Sequence, residues 1–149
     1  MTSATTLGLI EGGLTKLQEL CGSTAAAKGF HEDRPILGGL GETAHAAALA
    51  NWQGNKLLLV VSEVVEAHDE IRSGHAADET YYPTSPYPAD QPLPGNPNPH
   101  KPEGVPSEIA DAVIRCFDFA YTEGFSLADI IIEKLAYNAT RERLHGKKF

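Results

Sequence analysis

Five carboxylates stand at spacings that can do chemistry. Glu63, Glu66 and Glu70 follow one another at three and four residues, and Glu108 and Asp111 are three apart. On a helix, residues three and four apart share a face. With Glu63 at zero on a wheel of about 100° per residue, Glu70 lies about 20° away and Glu66 about 60° away. The apolar side chains Leu57, Leu58, Val61, Val64, Val65 and Ile71 fall on the other side, while Leu59, Val60 and Ala67 flank the acidic stripe. No Lys or Arg lies between Leu57 and Ile71 to offset the like charges. Ile109, Ala110, Val113, Ile114, Cys116, Phe117 and Ala120 cover the side opposite Glu108 and Asp111, and Arg115 falls on the acidic stripe, placed to pair with one of the acids. A bare E-x-x-E is most often a solvated helix face. Two antiparallel helices carrying such pairs can instead pool four carboxylates in one groove. Paired acids on facing helices are an established way to build a metal site in a bundle. Hard divalent cations prefer such oxygen ligands, and Mg²⁺ in particular keeps waters and substrate phosphates beside a few carboxylates.

A cationic face comes next. Lys134, Asn138 and Arg141 fall at i, i+4 and i+7, and His145, Lys147 and Lys148 follow. Cations near a helix C-terminus are favourable placement in their own right. The other reading is a clamp for phosphate or base.

The elements that must position these groups are helical. Thr5 to about Phe30 reads as helix, though Gly12, Gly13 and Gly22 each cost roughly 1 kcal/mol against Ala. Arg34 to Gly41 reads as loop. A short helix over Glu42 to Trp52 is followed by a strongly periodic one over Lys56 to Ser73, closed by Gly74. Pro106 and Ser107 start a helix that runs to Glu123 and stops at Gly124. A last helix opens at Ser126, with Asp129 three residues on as a variant of the capping box, and runs to about Arg143. No β-hairpin signal occurs. The expectation is an all-α bundle of four to five helices.

The chain has 149 residues and a formal charge of −8. One domain over 1–149 is expected at that length. The acidic balance argues against a nucleic-acid backbone binder, which needs a basic face. It leaves a phosphate substrate open, because a bound cation inverts the local sign. Nine of the ten prolines fall between Pro83 and Pro106. That stretch is expected to be a proline-rich loop, since each proline removes a donor and clashes with the preceding turn. Cys21 and Cys116 sit in apolar helical patterns with no C-x-x-C, which reads as two buried thiols in a reducing compartment. The longest apolar run, Leu57 to Val61, is too short to span a bilayer. Met1 to Ile10 lacks the basic start of a secretory signal. The expected location is the cytoplasm, a host's cytoplasm if the chain is phage-encoded.

Three stretches, LVVSEVVEAHDEIRSG (Leu59 to Gly74), KPEGVPSEIADAVIRCFDFA (Lys101 to Ala120) and EKLAYNATRERLHGKKF (Glu133 to Phe149), cover about a third of the chain. Together they resemble the MazG-like superfamily of all-α nucleoside triphosphate diphosphohydrolases, some of whose members come from bacteriophages. The family motif is E-E-x-x-E followed by E-x-x-D. Glu63 and Glu66 match its second and third glutamates, and Glu108 and Asp111 match E-x-x-D. Ser62 stands where the family has its first glutamate, and the gap holding the prolines is longer than usual.

The resemblance implies metal-assisted hydrolysis of the α–β phosphoanhydride, giving a nucleoside monophosphate and pyrophosphate. Glu63, Glu66, Glu108 and Asp111 would hold Mg²⁺, for which Mn²⁺ can substitute. Lys134 and Arg141 would contact phosphates, with Lys147 in the same cationic end. Asn138 suits a sugar hydroxyl or base edge, and Trp52 could stack on the base. Glu70 or Asp69 would orient the water beside the catalytic Glu63 and Glu66. The family's range points to a purine deoxynucleotide such as dGTP or dATP, and to a homodimer or homotetramer. Two alternatives stand beside this reading. One is a non-catalytic acidic helical adaptor or inhibitor, favoured by Ser62; the other is a hydrolase of another pyrophosphate-containing metabolite.

Overall fold

A computed structural model describes residues 3–38, 41–83 and 100–142. Four helices make up the regular structure of these residues: α1 (Ala4–Ala27), α2 (Glu42–Arg72), α3 (Val105–Glu123) and α4 (Leu127–Ala139). No strand occurs among them; Tyr81 and Glu103 form an isolated antiparallel bridge. No helix among them is long and apolar enough to cross a membrane. The chain gathers into two compact units, one of Met1–Arg34 with Phe117–Phe149 and one of Pro35–Cys116.

In the first unit α1 packs on α4. The Ser3 hydroxyl caps α1 by accepting from the Thr6 N–H. Ala120 and Ala128 are fully buried. Gly22 lies against the Tyr121 ring so closely that a Cβ there would overlap it. Gln18 ties α1 to the α3–α4 turn with both ends of its amide. Its Nε2 donates to the Phe125 carbonyl at 2.8 Å, and its Oε1 accepts from the Leu127 N–H at 3.1 Å. Beyond α1, His31 Nε2 lies 2.7 Å from Asp118 Oδ1, and Arg34 reaches Glu123 at 3.3 Å. The Ser126 hydroxyl caps α4 by accepting from the Asp129 N–H, as the capping pattern requires. The helix ends at Ala139, short of the expected Arg143. The Thr140 hydroxyl turns back to the Tyr137 carbonyl at 2.7 Å and ends the ladder with a three-residue bond. Such local hydroxyl bonds compete with helix continuation.

In the second unit α2 is one unbroken helix of 31 residues, where two were expected. Gly54 lowers helix propensity without removing a hydrogen bond, which only proline does. The Lys56 ammonium lies 5.0 Å over the Trp52 ring, an i,i+4 contact that spans the expected break. α2 stops as anticipated at Gly74, with His75 N–H on the Glu70 carbonyl and Gly74 N–H on the Ile71 carbonyl. This pair is a Schellman motif. α3 begins at Val105, so Pro106 belongs to its first turn rather than to the loop. A missing N–H costs nothing there. Of the proline-rich loop expected over Pro83 to Pro106, residues 84–99 lie outside the described ones.

Within this chain α2 turns its acids inward and its apolar side chains outward. Glu63 and Ala67 are buried, whereas Leu57, Leu58, Val61, Val64, Val65 and Ile71 are exposed. α3 repeats this, with Ser107, Glu108 and Ala112 buried and Ile109, Val113 and Ile114 exposed. Cys116 goes outward with that apolar face, so only Cys21 of the two thiols is buried.

Candidate functional site

The inward faces of α2 and α3 carry the acids. Glu63 is 5% exposed and Glu108 3%. Glu66 is exposed and Asp111 half-buried. One carboxylate oxygen from each of Glu63, Glu66 and Glu108 lies within 4.8 Å of the others. Arg115 Nε donates to Glu63 Oε1 at 2.6 Å, the pairing its place on the acidic stripe suggested. On α3, Glu108, Asp111 and Arg115 follow at i, i+3 and i+7, so one helix face presents two acids and their counter-ion.

A backbone clasp holds the start of α3. Tyr81 and Glu103 exchange two hydrogen bonds, of 3.1 and 2.9 Å. Gly104 has φ 102°, and a Cβ there would strike the Glu79 carbonyl, so the clasp requires glycine. The Ser107 hydroxyl donates to the Pro102 carbonyl at 2.8 Å. Lys101, bonded to Glu103 at 3.0 Å, comes near the acids by this route.

The electrostatics follow from burial and like charge. Burial pushes the Glu108 carboxyl up to about 7; Glu66, Asp111 and Glu103 add to the rise, and Lys101 opposes it. Burial raises Asp111 as well, Glu63 adds to that, and Lys101 and Arg115 oppose it. Lys101 itself is raised, first by its bond to Glu103. A buried carboxylate short of positive charge is costly. Three close oxygen donors answer that cost by taking a proton or by holding a hard cation. The donor set is therefore the kind that Mg²⁺ or Mn²⁺ uses.

The remaining sequence candidates are placed as follows. Asp111 is not within the 4.8 Å group. Nor is Glu70, whose two oxygens accept from the Tyr81 hydroxyl at 3.2 Å, with His75 Nε2 at 3.8 Å. His75 stacks on Tyr81 with centroids 4.6 Å apart and bonds Glu79 at 3.2 Å. Asp69 is exposed, with Arg72 at 3.4 Å. The Ser62 hydroxyl donates to the Leu59 carbonyl of its own helix at 2.8 Å. Trp52 is buried in the second unit. Lys134 and Asn138 lie exposed on α4, and Arg141 lies beyond its end rather than on the helix. Both cations approach the exposed Tyr137 ring, at 5.8 and 5.9 Å. Lys147, with His145 and Lys148, lies outside the described residues. Lys101, Tyr81 and His75 were not singled out from the sequence. The Tyr81–Glu103 bridge brings Tyr81 and Lys101 to the acidic helices, and no spacing rule announces it; His75 comes there as part of the cap that closes α2.

Comparison with family models, curated proteins and solved structures gave no match.

Proposed function

We propose that this chain is a metal-dependent nucleoside triphosphate diphosphohydrolase of MazG-like type. The observation that carries the reading is the carboxylate group of Glu63, Glu66 and Glu108, two of them buried and all within 4.8 Å. These three would hold Mg²⁺ or Mn²⁺, with Asp111 beside them. When bound, such a cation neutralises phosphate charge and lowers the pKa of water. The chain's own share is positioning. Arg115 fixes Glu63, Lys134 and Arg141 bind phosphates, Arg by its planar fork, and Asn138 takes a sugar hydroxyl or base edge. Lys147 and Trp52 are further candidates for contact with substrate. Because Trp52 is buried, stacking on a base would require its ring to become accessible. The substrate favoured is a purine deoxynucleotide such as dGTP or dATP, cleaved to the monophosphate and pyrophosphate. The enzyme would act in the cytoplasm as a homodimer or homotetramer.

A second reading is a non-catalytic acidic helical protein. Ser62 supports it, since its hydroxyl is spent on the Leu59 carbonyl and adds nothing to the acids. A panel of nucleoside triphosphates with Mg²⁺ separates the two. Monophosphate and pyrophosphate should appear, and Glu66→Gln should abolish turnover while leaving the helical circular dichroism intact, because Glu66 is exposed. A nucleoside diphosphate with inorganic phosphate as first products would contradict the reaction. No turnover of any nucleotide would favour the adaptor.

A further inference from the structure

We infer that His75 is a pH-sensitive latch: its charged ring pins the end of α2 to the Tyr81–Glu103 bridge from which α3 starts, and loss of the charge loosens that bridge. The latch needs neither metal nor nucleotide. His75 follows the Gly74 stop of α2 and is half-buried. Both of its ring nitrogens face carboxylates. Nδ1 lies 3.2 Å from Glu79 Oε2, and Nε2 lies 3.8 Å from Glu70 Oε2, an ion-pair rather than a hydrogen-bond distance. A neutral imidazole has one N–H and one lone pair, so one of these carboxylates would meet the lone pair. The imidazolium presents an N–H to each. Tyr81 covers the ring face, with centroids 4.6 Å apart and planes 11° apart. The negative face of its phenol also favours a charged ring. The same Tyr81 donates its hydroxyl to Glu70, 3.2 Å from either oxygen.

The surrounding charges leave His75 as the cation of this corner. Glu70 faces it from α2, and Glu79 and Tyr81 face it from the segment that follows. Arg72 pairs with the exposed Asp69 at 3.4 Å, and Lys101 pairs with Glu103 at 3.0 Å. Asp78 is exposed. Glu79 is held below its usual range, first by the Ala76 N–H and then by His75. Burial and then Glu70 raise the Tyr81 hydroxyl, so Tyr81 stays a donor. The latch reaches α3 through the backbone. Tyr81 and Glu103 exchange two hydrogen bonds, and the Glu79 carbonyl packs against Gly104. The Ser107 N–H bonds the Gly104 carbonyl, and Ser107 and Glu108 are buried in the turn so begun. How firmly α3 holds Glu108 thus depends on a ring outside the acidic group.

The test follows amide hydrogen exchange of the full chain with chelator present, scored as protection over unstructured-chain rates at each pH. The reporters are the Tyr81 and Glu103 N–H groups, which make the bridge. The Leu127 N–H, bonded to Gln18 in the other unit, is the reference. Between about pH 5 and pH 8, where a histidine changes charge, bridge protection should fall about threefold against the reference, the size expected of a half-exposed ion pair. The sign follows from linkage: the closed latch favours the charged ring, so raising the pH favours opening. His75→Phe keeps a ring on Tyr81 without the charge and should give low protection at both ends of the range. His75→Arg keeps a permanent charge that stacks on the phenol and should give high protection at both. Glu108 titrates in the same range, at about 7, so Glu108→Gln is measured as well and should keep the wild-type fall. Flat protection in wild type would overturn the inference. So would a fall that survives in His75→Phe or His75→Arg, or one that disappears in Glu108→Gln. If His75→Phe does not fold, His75→Arg and the wild type decide.

Discussion

Glu108 illustrates at the scale of one residue what the inward acidic face implies. Its carboxyl is pushed from an ordinary 4.5 up to about 7, chiefly by burial. Between those values the folded chain holds a proton that the unfolded chain has released. Stability without metal therefore falls as pH rises through that window, because the folded state binds more protons there. Asp111 is raised too and adds with the same sign. Glu79, held below its usual range first by the Ala76 N–H and then by His75, acts oppositely, losing its contribution as pH falls through its lowered pKa. The expected result is a thermal midpoint, measured with chelator, that drops from about pH 4.5 to about pH 7. Glu108→Gln should flatten most of that slope, since an amide mimics the protonated acid and does not titrate. A wild-type midpoint that rises through the same window would show that Glu108 is ionised there and paired. Spacing placed Glu63, Glu66, Glu108 and Asp111 on two acidic stripes with Arg115 as a candidate partner; the first three come within 4.8 Å of one another and Asp111 stays outside that group. Lys101 was not legible, because it reaches the acids through a loop bridge.

Two glycines separate propensity from packing at the scale of the element. Gly22 and Gly54 carry the same kind of propensity cost within a helix. The structure distinguishes them. Gly54 has open space around it, so Gly54→Ala should stabilise α2 by roughly 1 kcal/mol. Gly22 meets the Tyr121 side chain, Cβ included, so Gly22→Ala should destabilise by about 1–3 kcal/mol through overpacking, and in a double-mutant cycle Tyr121→Gly, which removes the Cβ with the ring, should relieve most of that penalty. Urea melts of the two single variants shifted in the same direction would contradict this. The contrast also explains why helix existence was legible and some boundaries were not. Capping at Ser126 and the stop at Gly74 are written in short local patterns. α2 runs unbroken through Gly54, with Lys56 lying over Trp52 across it, a contact that a propensity scale does not see. Which face of α2 turns inward is also absent from the wheel. The wheel separates acids from apolar side chains, and within one chain the acids went inside.

That inversion has its consequence for the whole molecule. Leu57, Leu58, Val61, Val64, Val65 and Ile71 of α2, with Ile109, Val113 and Ile114 of α3, remain exposed on one chain. They belong to the same compact unit. Exposed apolar side chains in this number point to an interface when they form one patch. The dominant favourable term in association is removal of such surface from water. A symmetric assembly of identical chains would cover these faces and leave the acids at its interior. The expectation is a dimer at least, with a tetramer built as a dimer of dimers. Light scattering at micromolar protein should return a multiple of 16.0 kDa. Leu58, at 63% exposed on one chain, is the place to test the contact. Leu58→Glu should cut the mass to 16.0 kDa while the circular dichroism stays helical, because the position contributes little to packing within the chain. A wild-type chain that runs as a monomer and still hydrolyses nucleotide would defeat the assembly and leave the carboxylate site untouched.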